Sequence, residues 1–368
     1  MSALSDLRPS RVALVGLGHR ATTTYLPLVA AADGRVELVG VLDPDRAARA
    51  RFLDAAGRPD AVQQAVDLDA LLRDARPDVV IVASPDDLHA AQVETALRHG
   101  TDVFCEKPIG IGTADVSRVL HASRASDAAL VVGHNLRFHD LHRAVKDVID
   151  SGRVGRVTTV AMTYYLLPGH GESYLRRWHR TRARSGGLEV TKACHHLDLL
   201  TWWMDDVPVE VSGRTSREHY TSDRTPPDAD IDDTVAAVVR YAGGGLAMYT
   251  LVGRADREGC SLHVQGTGGR VEVEWDAKAP PGSEHVVRVL TTGQAPSTLR
   301  IPVAPGRHGG ADARMLRHHF DPWDPGAGNV AHAAVAVTVG EAITRSSRRG
   351  ATVDISGTDA VAHLRGRP

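Results

Sequence analysis

The sequence predicts an α/β chain: an N-terminal doubly wound parallel sheet, then a C-terminal α+β domain built on a largely antiparallel open sheet. Three observations lead there. Short, nearly continuous apolar runs alternate with helix-compatible stretches up to about residue 135, as in a parallel sheet covered on both faces. Beyond that point apolar and polar residues alternate within the runs, as they do in strands with one wet face. A glycine-rich turn sits between the first apolar run and the first helical stretch, which is how a dinucleotide-binding unit opens.

The elements follow in order. RVALVG at 11–16 is the first strand, a helix is expected over 23–32, and VELVGVLD at 36–43 is the second strand. Helices at 45–56 and 67–75 precede the strand DVVIVAS at 78–84. A helix at 86–99, the strand DVFCEK at 102–107, a helix at 113–126 and the strand ALVVGH at 129–134 complete the pattern. The expected domains are 8–135 and 136–368. In the second, a helix at 139–151 leads to strands such as VTTVAMTYYL at 157–166, DTVAAVVRYA at 233–242 and GLAMYTLV at 245–252. GLEVTKACHHLDLLTWWM at 187–204 reads as one buried helix, being long and free of Gly and Pro after Gly187. The Pro- and Asp-rich SDRTPPDADID at 222–232 reads as a loop.

Composition narrows the function classes. A chain of 368 residues, 42% hydrophobic and 24% charged, suits two cores. The net charge of -2, from 43 basic and 45 acidic residues, gives no field that would draw it onto nucleic acid or an anionic membrane. A small soluble ligand is the expected partner. Cys105, Cys194 and Cys260 are odd in number and lack CxxC spacing, so neither a disulfide framework nor a cysteine metal site is expected, and a reducing cytoplasm fits. No apolar run reaches the roughly 18 residues of a membrane span.

Gly16-Leu17-Gly18-His19-Arg20-Ala21 matches G-x-G-x-x-G/A. The first Gly permits the tight turn, the second lets backbone approach a pyrophosphate, and the small Ala21 allows close helix packing. The helix N-terminus offers N–H donors to phosphate. Asp43, ending the second strand, stands where a carboxylate accepts from adenosine ribose hydroxyls, which favours NAD over NADP. Its spacing from Gly16 exceeds the usual roughly 20 residues, an excess that the turn at 31–34 accommodates. Arg46 is the residue that would meet a 2′-phosphate, and a solvent-facing turn is the alternative for Asp43.

Ser84-Pro85 and Glu106-Lys107-Pro108 each end an apolar strand, and strand carboxyl ends line the ligand crevice of a doubly wound sheet. A lysine there can hydrogen-bond a substrate hydroxyl and help move its proton as hydride leaves the same carbon. A surface lysine paired with Glu106 is the plainer reading.

The sequence resembles the Gfo/Idh/MocA family of glucose-fructose oxidoreductases, inositol dehydrogenases and their relatives. The resemblance rests on VALVGLGHRA, ASPDDLHAAQVETALRHGTDVFCEKPIG, GHNLRF with SGRVGRV, and SGGLEVTKACHHLDLLTWW, and covers about 10 to 350. It implies an N-terminal Rossmann domain, a C-terminal open sheet, and hydride exchange between NAD(P) and a secondary alcohol of a sugar, amino sugar or cyclitol. Lys107 falls on the family's EKP lysine, and His89 lies inside the matching segment. The cofactor contacts so read are Gly16, Gly18, His19, Arg20, Ala21 and Asp43, together with Ser84, Pro85, His89, Glu106 and Lys107. His195 aligns with the family's catalytic His, but the Asp that commonly precedes it by four residues is here Thr191.

Thr cannot act as a carboxylate base. On a helix, Lys192 shares a face with His195 and His196, so the resemblance places this chain in a subgroup with Lys-x-x-His-His. Catalysis is expected from Lys107, Lys192, His195 and His196, with His195 as base and His196 orienting substrate or Lys192; no metal is expected. Packing near Trp202 and Trp203, or a metal held with Asp198, are the alternatives for the His pair. The basic SYLRRWHRTRARSGG at 173–187 offers Arg180 or His179 to a substrate, and Gly309, Gly310 and Asp312 resemble a late family segment near the pocket. Two other functions share the apparatus: redox-neutral, NAD-cycling cleavage of glycosides, and a non-catalytic dinucleotide-binding regulator. A homo-oligomer is expected, because one face of the C-terminal sheet is uncovered in the family.

Overall fold

The computed structural model describes residues 9–31, 35–58, 62–326 and 329–366. They form two compact units. The first gathers the chain through Ile109 with Arg118–Gly133 and Asp312–Val330, and the second gathers Gly110–Ser117, His134–Ala311 and the chain from Ala331.

In the first unit, β1 (Ser10–Val15), β2 (Val36–Leu42), β3 (Gln63–Ala65), β4 (Val79–Val82), β5 (Asp102–Cys105) and β6 (Leu130–Val132) make one sheet in the order β3-β2-β1-β4-β5-β6. Every pairing is parallel. The strand order reverses between β1 and β4, the switch point where such sheets bind ligands. VVIV of β4 is fully buried, as a central strand covered on both faces must be. β3 is an addition to the expected strands: Gln63 and Gln64 are exposed, so this edge strand carries no apolar run to announce it.

The first helix departs from the expected 23–32. It opens in a π-helical turn, Ala21–Tyr25, and runs on into α1 (Leu26–Val29); residues 32–34 of the expected turn lie outside the described residues. Then come α2 (Arg46–Ala55), α3 (Leu68–Ala75), α4 (Asp86–Arg98) and α5 (Thr113–Arg124). α3 buries Leu68, Leu71, Leu72 and Ala75 and is capped by Asp67, whose side chain accepts from Ala70 N–H, a helix start of the usual chemistry.

The second unit carries α6 (Asp140–Asp150), β7 (Val157–Tyr165), α7 (Pro168–Arg176), α8 (Arg182–Ser185), α9 (Leu188–Thr191) and α10 (Cys194–Met204). Strands β8 (Pro208–Ser216), β9 (Thr234–Tyr241), β10 (Leu246–Val252), β11 (Gly259–Gly266), β12 (Gly269–Asp276), β13 (Glu284–Thr291), β14 (Ser297–Pro302) and β15 (Val353–Asp354) follow, with helices α11 (Ala311–Phe320), α12 (Val330–Arg349) and α13 (Asp359–Arg365). Nine strands pair in the order β14-β13-β12-β11-β7-β10-β9-β8-β15. Only β7 and β10 run parallel among these neighbours. β9 alternates strictly, with Val235, Ala237, Val239 and Tyr241 inward, and α10 packs on β7.

The single helix expected at 187–204 is broken. α9 ends at Thr191 and α10 begins at Cys194. Ala193 N–H reaches back five residues to Leu188 O at 2.8 Å, the mark of an inserted residue. The β-branched Val190 and Thr191 weaken the helix there, and an apolar pattern does not register one extra residue.

Late residues complete the first unit. The Phe104 ring on β5 meets Tyr25, His319, Phe320 and Trp323, with ring centroids 5.4–6.5 Å apart. Trp323 Nε1 donates to Asp102 at 2.7 Å, and Asn329 pairs with both backbone groups of Val132 at 2.9 and 2.6 Å.

Candidate active site

The glycine-rich turn of the first unit is built around Gly16, whose φ is +84°. A Cβ there would stand 2.5 Å from the Ser84 backbone, so the β1 and β4 strand ends can meet only at glycine. Gly16 N–H donates to Leu42 O at 2.8 Å. A Cβ on Gly18, by contrast, would meet nothing within 4 Å, which leaves the backbone open to a close ligand. Ala21 is fully buried. Exposed His19 accepts on its carbonyl from the Thr22 and Thr23 hydroxyls at 3.0 and 2.8 Å. One Asp43 oxygen accepts from Leu17 N–H at 2.8 Å and the other from Asp45 N–H at 2.9 Å. That carboxylate holds the turn's shape with part of its capacity, since an ionised carboxyl has about four acceptor positions. The open Gly18, the helix start and Asp43 fit a dinucleotide.

Arg20 and Glu106 face each other. Arg20 Nε donates to Glu106 at 2.5 Å, its other nitrogens to both oxygens of Asp312 at 2.8 and 3.2 Å, and the Tyr25 hydroxyl to Glu106 at 2.6 Å. Burial works against the Arg20 charge, but Glu106, Tyr25 and Asp312 outweigh it and hold the guanidinium more firmly protonated than usual. Burial, then Glu106, pushes the Tyr25 phenol well up. The charged ends of both expected cofactor residues are thus engaged within the protein. Asp312, expected near a substrate pocket, is part of this cluster.

At the ends of β4 and β5, Ser84 Oγ donates to Gln92 at 2.6 Å. The buried His89 ring ties the two turns together: its nitrogens lie 2.6 Å from Pro108 O and 2.9 Å from Ser84 O. Pro85 caps the start of α4. Lys107 is half-buried and joins Pro108 through a cis peptide. Cys105, Cys194 and Cys260 are all buried and outside any disulfide; burial pushes Cys105 well up and Cys260 up to about 12, so they behave as small core groups.

In the second unit, Lys192 occupies the break between α9 and α10, and only 8% of it is exposed. Its ammonium stands 4.7 Å from the centre of the Tyr164 ring, an attractive geometry for a cation. Tyr164 also stacks on His196 at 3.9 Å. His196 is fully buried and its Nδ1 is hydrogen-bonded to the Tyr249 hydroxyl at 2.6 Å. Of the two histidines, His195 is the more exposed, and its ring meets His134 edge-on at 6.0 Å. Asp198 is taken by Arg137 through two 2.7 Å hydrogen bonds. Burial would raise its carboxyl, but Arg137 and then His134 hold it below its ordinary range. Thr191 is buried. Among the described residues, no group of three or more His, Cys, Asp and Glu is placed to hold a metal.

Tyr164, under the Lys192 ammonium, pairs with Cys260 of β11, and the residues flanking that pair add groups with no local signal in the sequence. Glu258 accepts from His170 Nδ1 at 2.7 Å and from Leu167 N–H at 3.0 Å. Burial favours the neutral acid, but His170 and Lys192 hold Glu258 below its ordinary value. Burial lowers the His170 imidazole too, aided by Lys192 and opposed by Glu258. Two arginines of the basic segment are held in ion pairs: Arg180 with Asp228, and Arg182 with Glu189 and Asp232. His179 stacks on Trp178 at 3.6 Å. Gly309 lies against His139, where a Cβ would come within 2.8 Å of Nε2.

A parallel sheet with its glycine turn at the switch point defines a dinucleotide-dependent α/β enzyme. Residues 10–134 match the profile described as the oxidoreductase family with NAD-binding Rossmann fold, and residues 142–272 match the Gfo/Idh/MocA C-terminal domain. The chain belongs to the Gfo/Idh/MocA family of NAD-dependent oxidoreductases. It is 31% identical to YteT of Bacillus subtilis (strain 168), across 91% of this chain and 95% of that protein. It is 30% identical to inositol 2-dehydrogenase of Rhizobium meliloti (strain 1021), across 72% and 75%. In fold it matches levoglucosan dehydrogenase in complex with NADH, with a TM-score of 0.79 at 18% identity over 94% of this chain and 99% of that one. No described helix is long and apolar enough to cross a membrane.

Proposed function

We propose that the enzyme moves a hydride between NAD and a secondary alcohol carbon of a sugar, amino sugar or cyclitol. The observation that carries this reading is the nearly enclosed ammonium of Lys192, held over Tyr164 in the segment that aligns with the family's catalytic motif. NAD, when bound, supplies the hydride acceptor at the nicotinamide ring. Gly16, Gly18, His19 and Ala21 shape the turn for its pyrophosphate, and Asp43 receives the ribose hydroxyls. Ser84, Pro85 and His89 fix the two strand ends beside it, while Arg20 and Glu106 brace the turn from behind. Lys107 hydrogen-bonds the reacting hydroxyl. Lys192 and His195 handle its proton, and buried His196 positions Lys192 through Tyr164.

A panel of inositols, monosaccharides, amino sugars and glycosides assayed for NADH formation tests the substrate class. Lys107→Ala should lower turnover by at least about 10³-fold while dinucleotide binding, followed by fluorescence, stays within twofold. Unchanged turnover sinks the assignment.

The outward face of the nine-stranded sheet exposes Val238, Leu246 and Met248. Ion pairs such as Arg240–Glu210, Arg270–Glu272 and Arg257–Glu274 lie to either side of them on the same sheet. We assign this face to a second copy of the chain, and light scattering that finds only monomer at micromolar concentration removes it. The three buried thiols suit a reducing compartment, and we assign the enzyme to the cytoplasm, which fractionation checks.

A further inference from the structure

The missing carboxylate at Thr191 raises the question of what supports the acid–base chemistry at Lys192. Glu258 enters β11 from one side and His170 lies in α7, 88 residues away in sequence, yet they meet at 2.7 Å. Glu258 has a side-chain exposure of only 5%, whereas His170 is 41% exposed. An ionised carboxylate only accepts hydrogen bonds. The proton of a neutral His170 ring is therefore on Nδ1, which leaves the Nε2 lone pair for another partner. Three contacts fix the ring and its carboxylate: Glu258 at Nδ1, Tyr174 stacked at 5.5 Å, and Leu167 N–H on the second oxygen of Glu258.

We propose that His170, oriented by Glu258, is a proton acceptor for the alcohol handled at Lys192, a carboxylate–imidazole pair that replaces the one lost at Thr191. This rests on the function proposed above. In the step, the substrate O–H bond breaks and an N–H bond forms at His170 Nε2; the O–H electron pair stays on oxygen and closes the carbonyl as the same carbon gives up its C–H hydride to the NAD of the function proposed above. Glu258 stabilises the imidazolium that results. The same pair returns the proton when the carbonyl is reduced. His170 is the catalytic residue and Glu258 its positioning residue. The charged groups that act on the ring are Glu258, Lys192 and Lys278. Burial, Lys192 and Lys278 lower the basicity of the ring, and Glu258 opposes them.

The test has two arms. In the first, ¹⁵N-histidine NMR on the full chain, with His170→Gln identifying the signal, should show the Nδ1–H tautomer at pH above its titration. A Nε2–H tautomer overturns the proposal whether or not any substrate is turned over, so its failure and that of the function reading are told apart. In the second, His170→Gln should lower kcat by on the order of 10²-fold or more, with the KM for NAD unchanged. A kcat within twofold of wild type overturns it. Should His170→Gln melt well below wild type, Glu258→Gln carries the kinetic arm, keeping ring and fold but removing the charge. The acid limb of its kcat profile should move to lower pH, since the ring loses the group that raises its basicity, and kcat should fall about tenfold. A limb that stays in place overturns the proposal.

Discussion

Glu106 and Glu258 are both nearly inaccessible carboxylates, one in each unit, and they are satisfied in opposite ways. Glu106 is enclosed by Arg20 and Tyr25, with Asp312 closing the far side of the guanidinium. Glu258 holds an imidazole that is 41% exposed, and the charge of Lys192 acts on both groups. A closed ion cluster fixes backbone and resists protonation change, whereas an open pair can pass a proton. The exposure of the partner separates the two kinds.

Substitutions that disturb each cluster bear directly on this contrast. Arg20→Ala leaves two buried carboxylates without their cation and should cost about 3–5 kcal/mol of stability, read by urea or thermal unfolding. Glu258→Gln, which keeps an acceptor for Leu167 N–H, should cost only about 1 kcal/mol while turnover falls. Equal losses of stability in the two variants would erase the distinction.

The next effect sharpens it at histidine. His142 packs against Trp203, Trp275 and His139, and burial, opposed by its bond to Leu136 O and joined by the charge of His285, lowers it from 6.5 to about 4. A base with a lowered folded value loses stability as pH falls, because the unfolded chain binds the proton first. The contribution is present above pH 6.5 and should decline by roughly 3 kcal/mol on the way to pH 4. His142→Gln, which keeps the donor to Leu136 O, should flatten unfolding free energy between those limits; an unaltered slope would assign the loss elsewhere. The dinucleotide turn is read by Asp43→Ala. It removes the acceptor for Leu17 N–H and the proposed ribose contact, and NAD titration should show about tenfold weaker binding, roughly 1.4 kcal/mol.

What was legible in the sequence was local. The Gly16 turn, Asp43 and the apolar strands declare themselves within a few residues, because turn chemistry and periodicity act at that range. The sheet classes followed, and the family assignment with them. The break at Lys192 did not, since two short helices carry the same apolar pattern as one long one. Nor did the partners of the site. Arg20 finds Asp312 at a separation of 292 residues, and Arg137 finds Asp198 at 61. His170 and Glu258 sit in unremarkable contexts, LPGHGES and REGC, and only the register of β11 against β7 brings their strand ends together.

The tail end of the first unit has a temporal consequence. Phe320, Trp323 and Asp312 cover Phe104 and complete the Arg20 cluster, yet they leave the ribosome some 200 residues after Phe104 does. At roughly 5–20 residues per second, the nascent sheet waits ten seconds or more with that aromatic surface uncovered. The six strands of the dinucleotide-binding unit are therefore made long before the residues that complete it, and the part most easily recognised in the sequence is among the last to close.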